Sequence, residues 1–323
     1  MGKWITKREA REKGIQRLQD IKAGKIKFFQ LFTPGLHSQF DYFEFPSLNL
    51  IAGPSGHGKS YYLGQCIRHA FADENKDLNV LWFHFGLEMS SEREELRDIA
   101  ASEGVTYKDL KSPDNPMDDV KISQMFEELK LDNKAMYDNL HYFGDSSINR
   151  LQLIEEIKKI RRKNPDRNIA VSIDHLLLVD GIRDSESEVE VQAKLAKDLI
   201  EVINKERIMG IFLGQMNDKI EHPLRLSEDN PSLHYPTKTD LHGSKQVYQA
   251  MDTVTMIYQP ALNGIADYGK SRIPTRINGR NLFAVHCVKD RDGKQFVHLM
   301  INQLESGIIR DLTENEKLEI VNG

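Results

Sequence analysis

The stretch Gly53-Pro-Ser-Gly-His-Gly-Lys-Ser60 constrains this chain more than any other. It satisfies the spacing G-x-x-x-x-G-K-[ST], a pattern that carries chemistry only between a buried strand and a helix. The apolar run Leu48 to Ala52 predicts that strand, and Tyr61 to Phe71 predicts that helix. Glycines let such a backbone curl until its N–H groups point inward at phosphate oxygens. Lys59 adds a cation for the β- and γ-phosphates, Ser60 a hydroxyl for Mg²⁺, and the helix N-terminus a favourable dipole. The expected nucleotide cradle is therefore Gly53, Pro54, Ser55, Gly56, His57, Gly58, Lys59, Ser60 and Tyr61.

The rest of the chain reads as one globular unit around that loop. Of 323 residues, 39% are hydrophobic and 29% charged, which excludes a disordered chain and leaves room for one large or two modest domains. No apolar run reaches membrane-spanning length, and the N-terminus lacks a signal-peptide core, so a cytoplasmic protein with no membrane partner is expected. The two cysteines, Cys66 and Cys287, sit in apolar patterns and are expected as buried free thiols. The net charge of −5 argues against a protein coated in nucleic acid, although a basic channel inside a ring would not register in a global sum.

A second, third and fourth core strand are predicted at 79–85, 169–174 and 209–215, a short strand near 140–143, and later strands at 253–258, 282–288 and 295–301. Helices are predicted at 61–71, 92–103, 121–137, 149–162 and 188–206. Strand–helix alternation throughout gives an α/β fold, a mostly parallel sheet with helices on both faces. Residues 1–45 form an arm and an aromatic lead-in, 46–312 the main domain and 313–323 a polar tail. Ile5, Ile15, Leu18 and Ile21 give the arm a thin apolar stripe. It is either a frayed, solvated tail or an arm that packs on a neighbouring subunit. The polar stretch 217–239 is too long for an idle connector, and reads as either disorder or a loop that grips a ligand.

Ligands in such sheets sit beyond the carboxyl ends of the strands, and four groups of candidates lie at strand ends or tips. Asp174 closes the third strand, where a carboxylate can hold a metal opposite Ser60, or cap a helix. Glu88 follows the second strand and can deprotonate an attacking water, unless it is an ordinary loop residue. Gln215 ends the fourth strand, where a neutral amide can contact a γ-phosphate and a bound polymer together. Lys289 and Arg291 stand between two late strands, as either a charged hairpin tip or a basic pair reaching a neighbour's γ-phosphate.

Taken in order, these segments resemble the ATPase domain of the bacterial replicative helicase (DnaB) family, within the RecA-like fold. Leu87-Glu-Met-Ser90 resembles the family segment that carries its catalytic glutamate. Ser172-Ile-Asp-His-Leu-Leu-Leu178 is similar to its metal-binding strand, and Leu213-Gly-Gln-Met-Asn217 to its glutamine stretch. Asp240-Leu-His-Gly-Ser244 with Ala250-Met-Asp252 resembles its nucleic-acid-facing segment, and Lys289-x-Arg291-x-Gly293 its finger pair. The resemblance covers about residues 45–302. His175 stands where the family usually has Tyr, and Asp218 where it usually has Arg. No counterpart of the family's N-terminal helical collar precedes the core, while residues 3–24 stand where its subunit-hooking linker helix does.

The resemblance implies an ATP- and Mg²⁺-dependent, ring-forming helicase or translocase on single-stranded DNA, as a homo-hexamer. Primase or loader proteins are further partners that it implies. Glu88, Lys59, Gln215, Lys289 and Arg291 would be catalytic, and Ser60 and Asp174 metal-holding. DNA would run past loops near 181–190, 218–239 and 240–248, with Lys219, Arg225, Lys238 and Lys245 as phosphate contacts. A recombinase or branch-migration ATPase of the RecA or RadA kind is the second reading, and a phosphotransferase or regulatory nucleotide-binding module the third.

Overall fold

The computed structural model describes residues 4–40, 43–112, 118–129, 135–143, 147–182, 185–243, 245–303 and 308–322. After helix α1 (Lys7–Lys22), strand β1 (Ser47–Gly53) leads through the glycine-rich loop into α2 (Lys59–Ala70). Then come β2 (Val80–Gly86), α3 (Ser91–Ser102), β3 (Leu140–Phe143), α4 (Arg150–Lys163), β4 (Asn168–Asp174), α5 (Glu188–Glu206), β5 (Met209–Gln215) and β6 (Thr253–Tyr258). Strands β7 (Arg280–Asp290), β8 (Phe296–Gln303) and β9 (Ile308–Asp311) follow.

The main sheet runs β9-β8-β7-β6-β1-β5-β4-β2-β3. From β6 to β3 every pairing is parallel. The predicted alternation holds up to Tyr258 and then stops. β7 lies antiparallel to β6, and β8 and β9 continue as an antiparallel meander. The cause is the connections: β7, β8 and β9 follow one another through links too short to hold a crossover helix, and the longer link from β6 to β7 holds short strands and a 3-10 turn in place of one. Between β6 and β7 a small hairpin pairs Asp267–Tyr268 with Ile273–Pro274.

Each face of the sheet builds its own core. Leu48, Leu50 and Ala52 of β1 join Leu153 and Ile157 of α4 and Leu195 and Leu199 of α5 on one side. Ile51 joins Tyr62, Leu63 and Cys66 of α2 on the other. The period-2 alternation of a strand assigns these residues to opposite faces, and burial on both is why β1 reads as an unbroken apolar run. The helices start where local chemistry stops the chain from extending. Ser187 with Glu190, and Asn149 with Gln152, form capping boxes at α5 and α4. The aromatic lead-in is part of the second core, with Phe29, Leu31, Leu36, Phe40 and Phe43 all buried against it. Cys66 and Cys287 are buried free thiols. Among the described residues, no helix is long and apolar enough to cross a membrane.

The polar excursion 217–239 is organised from within. Its base is closed by a bridge between Met216 and Leu241 and by the Asn217 N–H donating to the Asp240 carbonyl at 2.7 Å. Its middle is pinned by Arg225, whose guanidinium pairs with the buried Asp240 and donates to the carbonyls of Leu233 (2.9 Å) and Tyr235 (2.8 Å). Breaking a buried ion pair from one side strands the other charge, at a cost of about 3–5 kcal/mol. Asp240→Ala is therefore expected to speed amide hydrogen exchange across 217–243 by orders of magnitude while the protection of β1 and β5 is retained. Unchanged exchange in that segment would show that Arg225 does not hold it.

Candidate active site

The carboxyl ends of β1, β5, β4 and β2 lie side by side, and the parallel register decides which residues meet there. Gly53 is aligned with Gln215, and Gly86 with Asp174. The chain leaves β1 at Gly53, where a Cβ would stand 2.8 Å from the carbonyl oxygen of Ile257. Gly56 and Gly58 have φ of +76° and +93°, the left-handed region that favours glycine. Gly58 is the residue that caps α2, so the loop delivers Lys59 and Ser60 into the first turn of the helix.

Lys59 folds back over the loop, its Nζ donating to the carbonyls of Gly53 (3.0 Å) and Pro54 (2.9 Å). Burial pushes its pKa down, while Asp174 and then Glu88 oppose that shift. Ser60 Oγ donates to Asp174 Oδ2 at 2.9 Å. Asp174 is only 2% exposed, and burial raises its pKa against the opposing bond from Ser60. Its other oxygen, Oδ1, is buried with no hydrogen-bond partner. A buried carboxylate oxygen without a donor, beside a serine hydroxyl, is chemistry suited to a small divalent cation. No group of three or more His, Cys, Asp or Glu side chains able to hold a metal occurs among the described residues. A cation here would thus take much of its shell from phosphate and water.

Glu88 is exposed on the turn after β2, near enough to act electrostatically on Lys59, Asp174 and His175. Gln215 is half-buried, and its carbonyl accepts from the His242 N–H at 2.8 Å, joining the strand end to the 240–248 segment. Ser244 of that segment and residues 183–184 of the 181–190 loop lie outside the described residues. Lys219, Lys238 and Lys245 are exposed, whereas Arg225 is spent on the internal contacts of its own loop, which corrects its reading as a phosphate contact.

Lys289 and Arg291 stand apart from all of this. β7 pairs Lys289 with Val254 and Asp290 with Thr253, at the start of β6, while the phosphate loop leaves the opposite end of the sheet. Lys289 Nζ caps the helix Lys245–Ala250, donating to the carbonyls of Tyr248 (2.9 Å), Gln249 (3.0 Å) and Met251. Arg291 is an exposed side chain paired with Asp252.

Gln259 and Tyr258 had no local signal in the sequence. The Gln259 N–H donates to His57 Nδ1 and its Nε2 to the His57 carbonyl, both at 3.0 Å, and the His57 ring stacks on Tyr258 at 5.2 Å. These contacts span 202 residues of chain, which no short-range pattern can encode. They turn the His57 ring away from the cradle, leaving only its backbone to the loop. Burial and the nearby Lys59 lower its pKa to about 4.

An unfolded chain takes up this proton near pH 6.5, so between 6.5 and about 4 the unfolded state binds more protons than the folded one. Stability is expected to fall as pH drops through that window, with His57 accounting for about 3 kcal/mol at its lower end. Urea unfolding at pH 7 and pH 4.5 checks this: His57→Gln should show a visibly smaller loss than the parent. An equal loss in both would remove His57 from the acid response.

The geometry agrees with what comparison to known proteins finds. The family model for the DnaB-like helicase C-terminal domain matches residues 34–303. A solved structure described as an ATPase domain superposes with a TM-score of 0.73 at 18% identity, covering 94% of this chain and 98% of that one. A structure of a DnaB-like replicative helicase and its interactions with primase gives 0.73 at 18% identity, covering 93% of this chain and 67% of that one. At such identities the likeness speaks for the RecA-like fold. A comparison with curated proteins finds no match.

Proposed function

This chain belongs to the DnaB-like helicase C-terminal domain family, and from that premise we propose how its residues divide the work. The family makes it an ATP-hydrolysing DNA helicase motor of the replicative type that uses a nucleotide. The recombinase and phosphotransferase readings give way to that assignment.

The phosphates lie in the cradle from Gly53 to Tyr61, with Lys59 released from its carbonyls to the β- and γ-oxygens. Ser60, and Asp174 directly or through water, would hold Mg²⁺, which would supply charge neutralisation on the transferred group. Glu88 takes the proton of the attacking water, reaching inward from its turn. Gln215 reports hydrolysis, because it is aligned with Gly53 across the sheet while its carbonyl accepts from the His242 N–H. Lys219, Lys238 and Lys245 carry single-stranded DNA by its phosphates, giving weak sequence preference and strong salt dependence. We infer that the motor works in the cytoplasm, of a bacterial cell or of a phage's host.

The ring rests on one observation, the position of the basic pair. The rise from Leu48, beside Asp252, to Gly53 is roughly 16 Å at about 3.3 Å per residue. Lys59 lies beyond that end, so Arg291 is out of reach of its own phosphate loop and suits a neighbour's. A homo-hexamer is the assembly that repeats such a contact and closes. Helix α1 supports the same arrangement. It buries no residue, and Trp4, Ile5, Ile15 and Leu18 are exposed at 98, 45, 49 and 61%. We take it as an arm that docks on the adjacent subunit. The similar helicase with primase interactions supports primase, or a loader, as a partner of the ring.

Glu88→Gln is expected to bind ATP normally and to lose about 10²–10⁴-fold in turnover, read by nucleotide titration and steady-state ATPase. Wild-type turnover would remove Glu88 as the base. Lys59→Ala should abolish hydrolysis. Arg291→Ala should lose about 10³–10⁵-fold in rate while keeping ATP binding. Mixed and allowed to exchange subunits, Lys59→Ala and Arg291→Ala proteins should regain part of the activity. No recovery despite verified exchange means that Arg291 does not act across an interface.

For the arm, deletion of residues 1–24 should lower the oligomeric state seen by light scattering and leave a folded monomer. A truncated protein that assembles at the same concentration would remove the arm from assembly.

A further inference from the structure

A chain of polar side chains crosses the interior between β2, β4 and α3, where apolar packing is the rule. Trp82 Nε1–H donates to Ser172 Oγ at 2.8 Å. Ser172 Oγ lies 2.7 Å from His84 Nδ1, and His84 Nε2 lies 3.1 Å from Glu94 Oε2 and 3.2 Å from its Oε1. One proton assignment satisfies every group: the Ser172 hydroxyl donates to Nδ1, and Nε2–H donates to the Glu94 carboxylate. The reverse assignment at Ser172 leaves a buried hydroxyl proton without an acceptor. The His84 and Glu94 side chains are 4% and 15% exposed.

Burying a histidine and a carboxylate costs free energy that leucines at the same positions would not, and such departures from core rules cluster at functional sites. The register shows what these two serve. His84 is aligned with Ser172 and Gly86 with Asp174, so the network and Asp174 share one face of the sheet, two residues apart. The turn bearing Glu88 begins at Gly86. One side of it is tied by the Leu87 N–H donating to the Asp174 carbonyl at 2.9 Å. The other side rests on Glu94: a Cβ on Gly86 would lie 2.5 Å from Glu94 Oε1, so the carboxylate fills the space that the missing side chain leaves. The Glu94 N–H donates to the Ser90 carbonyl at 3.1 Å, closing the turn from its far end.

We infer that His84 and Glu94 are positioning residues that hold the 86–90 turn, and with it the Glu88 carboxylate, in place over Asp174. The inference rests on the reading of Glu88 as the base. Its physical content is geometric: His84 fixes the Glu94 carboxylate, and the carboxylate fixes the backbone at Gly86. A base displaced by even about 1 Å loses rate without losing ground-state affinity, because only the transition state needs it in line.

Single substitutions leave a buried partner exposed to an apolar surround and can unfold the protein, so the informative variant removes both. His84→Leu with Glu94→Leu replaces a buried polar pair by side chains of similar size, a change that spares the fold an unpaired carboxylate and leaves only the Ser172 hydroxyl without its acceptor. The test compares kcat, KM, affinity for a non-hydrolysable ATP analogue and thermal stability in the double variant, in Glu94→Gln and in Glu88→Gln, all in the full chain. The expected result is a kcat lower by about 10- to 100-fold in the double variant, with analogue affinity close to the parent and a melting temperature lower by no more than a few degrees, from the Ser172 hydroxyl. Glu94→Gln, which can still accept from His84, should recover most of that loss. Parental kcat in the double variant overturns the inference, as does a kcat loss matched by an equal loss in affinity or by unfolding at the assay temperature. Blocked turnover in Glu88→Gln beside a parental double variant confines the failure to His84 and Glu94. Parental turnover in Glu88→Gln overturns the reading of the base itself.

Discussion

The parallel register of β1, β5, β4 and β2 is the constraint from which the site follows. It aligns Gly53 with Gln215 and Gly86 with Asp174. The 2.9 Å bond from Ser60 to Asp174 then links the phosphate-loop helix to a strand two places away. A slip of one residue in any of these strands would send its functional side chain to the opposite face. The apolar alternation that fills both cores, Leu48, Leu50 and Ala52 against Ile51, also prevents that slip. The same residues therefore stabilise the domain and aim its chemistry.

Around that frame the molecule places polar groups where they hold backbone. Arg161 donates to the carbonyls of Glu206, Asn164, Pro165, Arg167 and Arg207 at distances from 2.8 to 3.3 Å, closing the helix C-termini at the end of the sheet away from the nucleotide. Arg225 does the same for the 217–240 excursion, and Lys289 for the helix before β6. Each is a cation whose charge suggests a nucleic-acid or phosphate contact, and each spends much or all of its hydrogen-bonding capacity inside its own subunit. Charge alone is a poor guide to a ligand when unpaired carbonyls at helix ends compete for the same donors.

Two features, by contrast, lie largely at the surface of the subunit. Arg291 sits at the wrong end of the sheet for its own nucleotide, and α1 carries an apolar stripe with no core beneath it. Both lie at the surface, and the ring proposed above would use them together, one at the catalytic interface and one as the tie that keeps it closed.

How much was legible beforehand depends on the range of the interaction. The sequence by itself determined the phosphate loop, because Gly56, Gly58, Lys59 and Ser60 act through local backbone geometry and sit within one turn of each other. It also determined the parallel strands and the helices between them, since burial on two faces leaves continuous apolar runs and amphipathic periods. Asp174, Glu88 and Gln215 were legible as strand-end residues. Only the tertiary structure decided which of them meet, because that depends on the order of strands in the sheet and not on their order in the chain. It decided that the last three strands run antiparallel, that Arg225 is internal, that His57 faces Gln259 across 202 residues, and that His84 and Glu94 join into one network. The three side-chain contacts share a cause: hydrogen bonds and ion pairs carry no periodic signature, and form only once the apolar pattern has brought their segments together, whereas the antiparallel end follows from its connections.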